Sequence, residues 1–133
     1  VGGGGREHAI AASLSKSPLT KKLVVAPGNP GIEMFAQCYP IDAHDIPGQC
    51  KLAKDIRADF VFIGPEIPLV LGLKDELLKL GISAFGPSKK AAQLEGSKTF
   101  SREFCKRHNI PQPEFKYCTD IKTAKKQMEG ACA

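Results

Sequence analysis

DFVFIGPEIPLVLGLKDELLKLGISAFG, residues 59–86, decides the fold class. Residues 59–64 are a nearly continuous apolar run, as expected of a short strand buried on both faces. Residues 68–81 carry helical periodicity and close on Gly81, which predicts an amphipathic helix. Residues 82–86 predict the next strand. The same alternation extends in both directions. Residues 6–16 predict a helix with Ala9, Ile10 and Leu14 on one face, and residues 23–27 a strand ending in the turn signal PGNPG. A weak strand is expected at 38–42. Residues 46–57 predict a helix, with Asp45 as N-cap and Pro47 in its first turn. Residues 88–109 read as helical with a break near Gly96, and 110–115 as a proline-marked connection. The remainder predicts a short strand and a helix. Strand–helix alternation of this kind predicts an α/β fold built on a doubly wound parallel sheet.

Composition narrows the function classes. The chain has 133 residues, 42% of them hydrophobic, and no Trp. No apolar run approaches the length of a membrane span and no secretory leader is visible. Its five cysteines, Cys38, Cys50, Cys105, Cys118 and Cys132, are odd in number and form no C-x-x-C pair. A disulfide framework or zinc site is therefore not expected, and scattered thiols suit a reducing, cytoplasmic setting. The net charge of +5 falls entirely in residues 89–133. Acids interrupt that basic stretch, so it reads as a solvated helix surface rather than a nucleic-acid face.

Ligands of doubly wound sheets bind beyond the carboxyl ends of the strands. Four glycine-bearing turns stand there: residues 2–8, 27–31, 64–66 and 86–88. The first follows a strand of which only Val1 remains. It is no dinucleotide fingerprint, because the third glycine of G-x-G-x-x-G falls on Glu7 or His8. No acid ends the second strand, and no G-x-x-x-x-G-K-[ST] is present. What remains is anion chemistry. Gly2, Gly3, Gly4 and Gly5 let backbone N–H groups approach a phosphate at a helix N-terminus, and Arg6 adds a charged fork. Glu7 is assigned to a hydroxyl of the substrate or its amine. His8 reads as a packed histidine, and Asn29 as a ligand contact or merely a turn residue. Glu66, after a buried strand and between prolines, is placed to accept ribose hydroxyls.

GGGGREHA, APGNPG, GPEIPLVLG and GPSKKAAQLEGSKTFSREFCKRHNIP, in this order, resemble glycinamide ribonucleotide synthetases (phosphoribosylamine–glycine ligases) of the ATP-grasp superfamily. The resemblance covers roughly residues 1–118. It implies a Rossmann-like (pre-ATP-grasp) substrate-binding domain over 1–96 and the beginning of an ATP-grasp domain over 97–133. It also implies a ligase of purine biosynthesis that uses phosphoribosylamine, glycine, ATP and Mg2+. Substrate binding is then expected at Gly2, Gly3, Gly4, Gly5, Arg6, Glu7, Asn29, Glu66 and Pro68, and ATP binding at Lys98, in EGSK. The start at Val1 and the stop at Ala133 suggest a truncated chain, inactive alone, whose partners are the remaining ATP-grasp and C-terminal domains. A non-catalytic nucleotide-binding module and another ATP-grasp ligase of purine synthesis are the alternatives.

Overall fold

The computed structural model describes residues 1–128; Cys132 lies outside the described residues. The chain divides into two units, Val1–Gly96 and a second beginning at Ser97. The first unit is mixed α/β. In chain order it contains α1 (Gly5–Ser15), β1 (Val24–Val25), α2 (Pro30–Glu33), β2 (Gln37–Cys38), α3 (Ile46–Asp55) and β3 (Phe60–Phe62). It continues with α4 (Glu66–Leu71), α5 (Leu73–Lys79), β4 (Ser83–Phe85) and α6 (Lys89–Gly96). The strands form two parallel pairs, β1–β2 and β3–β4, with Phe60 opposite Ser83 and Phe62 opposite Phe85.

Val1 and Gly2 link the pairs. The Gly2 N–H donates to Ala26 O at 2.8 Å, and Gly28 N–H to Gly2 O at 3.1 Å. On the other side Val1 donates to Phe62 O at 2.6 Å, and Gly64 N–H to Val1 O at 3.2 Å. An apolar groove of about 480 Å³ runs between β1 and β3, walled by residues such as Ile10, Leu14, Leu52, Ile56 and Val61.

The main core gathers Ala53, Ile63, Leu69, Leu73, Leu77, Ile82 and Ala92. A smaller one joins Ala11, Val25 and Ile32. Local chemistry sets several helix starts as expected. The Asp45 carboxylate accepts from Gly48 N–H at 3.0 Å and begins α3. Other expectations need correction. The single helix over 68–81 is two helices, because Gly72 turns left-handed (φ 101°) and closes α4 onto Pro68 and Leu69 carbonyls before α5 begins. That hinge lets Leu73 and Leu77 both reach the core.

The buried face of α1 is Glu7 and Ala11, while Ala9 is exposed. The weak strand sits at 37–38, not 38–42. The 59–64 run is not buried on both faces. Val61 and Ile63 meet the core, but Phe60 and Phe85 stay 57% exposed, and Phe62 stacks on Phe85 at 4.8 Å.

The second unit holds α7 (Lys98–Arg107), capped by Ser97, and α8 (Ile121–Met128); no strand forms after residue 115 among the described residues. Tyr117 fastens its segment to α7 by donating to Glu103 at 2.7 Å. Desolvation and this carboxylate push its phenol up to about 12. The folded state therefore keeps the proton longer than the unfolded chain, whose tyrosines titrate near the ordinary value of about 10. Stability from this contact is complete below pH 10 and is lost as pH climbs toward 12. Phenolate absorbance should show one late-titrating tyrosine. Glu103→Gln should bring it down, and an unchanged titration would break the assignment.

Candidate functional site

The strand ends and the turns after them meet along one edge of the first unit. Loop 1 (residues 2–5) touches both loop 2 (27–31) and loop 3 (64–66). Loop 1 is shaped by close backbone approach. Gly2 has φ 117°, and a Cβ there would stand 2.6 Å from the Glu7 side chain and 2.9 Å from Pro65. A Cβ on Gly3 would collide with the backbone carbonyl of Gly28. One on Gly4 would lie 2.7 Å from the Glu7 carboxylate. Gly5 differs, since a Cβ there meets nothing within 4 Å. Three glycines thus satisfy the protein's own packing, and the fourth faces open space.

Two N–H groups of loop 1 are committed internally. Gly2 N–H is tied to Ala26 O, and Gly4 N–H donates to Glu7 Oε2 at 2.7 Å. The helix closes with His8 N–H on Gly4 O at 3.0 Å. The N–H groups of Gly5 and Arg6 open α1, where no intrahelical acceptor exists and the helix dipole favours negative charge.

Arg6 reaches across to loop 3 and donates to Glu66 at 3.4 Å, with both side chains largely solvated. Glu66 stands in the first turn of α4. Its own backbone N–H, then the Arg6 guanidinium, hold its carboxyl below the usual range. The two residues carry opposite charge over the mouth of loop 1, one suited to a phosphate and the other to hydroxyl or ammonium donors.

Asn29 is committed internally. Its Nδ2 donates to Gly3 O at 2.9 Å, and its Oδ1 accepts from Ile32 N–H at 3.0 Å, capping α2. It ties loop 2 to loop 1. Glu7 is 9% exposed and lies beneath the loop rather than toward solvent. Pro68 is fully buried in α4, so its side chain belongs to the core. His8 packs beside Phe35, ring centroids 5.5 Å apart. Lys98 is exposed at the first position of α7, in the second unit.

One positioning residue was invisible in the sequence. Gln49, 3% exposed, donates from Nε2 to Asp42 O at 3.0 Å and Ile41 O at 3.2 Å, with Ala26 O at 3.5 Å. Ala26 O also receives Gly2 N–H, so Gln49 braces the junction of loops 1 and 2. On the sequence it reads as one more polar residue on a surface helix. Among the described residues no three His, Cys, Asp or Glu side chains gather into a group suited to a metal ion.

Residues 1–95 match the family described as "Phosphoribosylglycinamide synthetase, N domain". The chain belongs to this family. It is 48% identical over 124 residues to the phosphoribosylamine–glycine ligase of Caulobacter vibrioides, covering 93% of this chain and 29% of that protein. It is 52% identical over 111 residues to the ligase of Agrobacterium fabrum, covering 84% of this chain and 26% of the relative. A bifunctional purine biosynthetic protein of Dictyostelium discoideum is 43% identical over 135 residues, covering 98% of this chain and 16% of the relative. The chain thus spans less than a third of the length of these relatives. The phosphoribosylglycinamide synthetase match takes in loops 1 to 3, and with them Gly5, Arg6 and Glu66.

Proposed function

We propose that this chain supplies the sugar-phosphate site of an ATP-dependent phosphoribosylamine–glycine ligase of purine biosynthesis. In that reaction ATP phosphorylates the glycine carboxylate and leaves as ADP. The amine of phosphoribosylamine then attacks the acyl carbon, and phosphate departs to give glycinamide ribonucleotide. The observation that carries the reading is the arrangement at the rim, an open Gly5 with Arg6 and Glu66 beside it, within a chain of this family.

The chain's own residues bind and orient. The 5-phosphate approaches the N–H groups of Gly5 and Arg6, which a Cβ at position 5 would crowd. Arg6 exchanges the exposed Glu66 carboxylate for the phosphate, a bidentate partner. Glu66 is thereby freed to accept ribose hydroxyls. Gly2, Gly3, Gly4 and Asn29 hold the loop in place. The two strand pairs are read as parts of one Rossmann-like, doubly wound sheet. Residues 1–96 are the substrate-binding domain, and 97–133 begin the ATP-grasp region, where Lys98 meets the ATP phosphates. Glycine, ATP with Mg2+, and the ATP-grasp and C-terminal domains of the same polypeptide are the partners, in the cytoplasm.

Titrating the 15N-labelled chain with ribose 5-phosphate tests the site. Amide shifts are expected at Gly5, Arg6 and Glu66, with Leu73 and Leu77 unmoved. Shifts confined elsewhere would reject it.

A further inference from the structure

Glu7 is an acid buried beneath a loop proposed to hold an anion, and its placement assigns it a task. Its Oε2 accepts the Gly4 N–H, while Oε1 is buried with no hydrogen-bond partner among the described residues. The side chain fills the space where Cβ atoms of Gly2, Gly4 and Gly64 would stand. Three glycines from two loops therefore pack around one carboxylate. A buried carboxylate with an unpaired oxygen is unfavourable by itself, so the arrangement is not explained by stability.

We infer that Glu7 is a positioning residue for the sugar phosphate. It withdraws the Gly4 N–H into the protein and clamps loop 1 against loop 3, leaving the N–H groups that open α1 to face the ligand. Its negative charge points away from the mouth of the loop, and the carboxylate does not touch the substrate. The inference rests on the phosphate site proposed above and adds the device that sets its shape. Glutamine has the same shape and can still accept from Gly4 N–H, whereas alanine cannot.

The experiment compares Glu7→Gln and Glu7→Ala in the full chain, with Gly5→Ala alongside. Ribose 5-phosphate affinity and exchange of the Gly4 amide hydrogen are measured. In the unsubstituted chain the Gly4 amide should be protected before any ligand is added. Glu7→Ala should release that protection and weaken ribose 5-phosphate about tenfold, the factor set by one lost hydrogen bond of roughly 1.4 kcal/mol. Glu7→Gln should keep protection and stay within about threefold of the parent affinity, a smaller change than one hydrogen bond represents.

If Glu7→Gln is damaged as much as Glu7→Ala while the Gly4 amide stays protected, the charge itself contacts the ligand and the inference is wrong. If Gly5→Ala weakens binding but Glu7→Ala does not, the phosphate site stands and the positioning role falls. If neither substitution alters binding, both fall. Should Glu7→Ala fail to fold, the Glu7→Gln affinity and the Gly4 exchange of the parent chain decide the matter, since an unprotected Gly4 amide also overturns it.

Discussion

Gly3→Val is expected to lower the stability of the first unit by about 1–3 kcal/mol, the usual effect of forcing extra atoms into a packed place. Its Cβ is directed at the Gly28 carbonyl, and backbone cannot rotate away as a side chain can. Asn29 would lose its 2.9 Å bond to Gly3 O as the loops part, and with it the tie between loops 1 and 2. Gly5→Ala should behave in the opposite way. Its Cβ meets nothing within 4 Å, and alanine is the better helix former, so the melting transition should hold or rise slightly. Yet the methyl group stands where the phosphate must approach, and ribose 5-phosphate should bind about tenfold more weakly, a difference of about 1.4 kcal/mol. Thermal melts and ligand titrations of the two variants separate packing from binding. If Gly5→Ala melts early and binds normally, the fourth glycine serves the fold like the others.

How much of this was legible in the sequence depended on how local each interaction is. The Asp45 cap was readable, because an acid three residues before a free N–H is a local pattern. The glycine turns at the strand ends were readable for the same reason, and Arg6 and Glu66 stand in them. The break at Gly72 was not. Apolar periodicity runs on through it, and only packing of Leu73 and Leu77 into a shared core requires the left-handed hinge. The inner face of α1 is not legible in the sequence, because a glutamate is ordinarily solvated. Glu7 is buried because the Gly4 N–H and the glycines at positions 2, 4 and 64 form its surroundings. Asn29 and Gln49 bond to backbone 26 and 23 residues away, and no spacing rule reaches that far.

Glu66→Ala is expected to weaken ribose 5-phosphate by about ten- to a hundredfold, since hydrogen bonds to a charged group contribute about 1.5–3 kcal/mol. The fold should be unaffected. The Arg6–Glu66 pair is solvated on both sides at 3.4 Å, and such pairs add little to stability. Two opposing effects follow from removing Glu66, and their balance is informative. Arg6 loses its resting partner and becomes more available to the phosphate, which favours binding. The ribose hydroxyls lose their acceptor, which disfavours it. Inorganic phosphate carries no hydroxyls to place and reports the first effect alone. Glu66→Ala should therefore bind inorganic phosphate as well as or better than the parent chain, while ribose 5-phosphate is bound more weakly. Arg6→Ala should weaken both ligands, and by less than Glu66→Ala weakens the sugar phosphate, because the N–H groups of Gly5 and Arg6 remain. Equal losses for both ligands in Glu66→Ala would mean that the carboxylate holds the rim around the phosphate in place and does not accept the ribose hydroxyls.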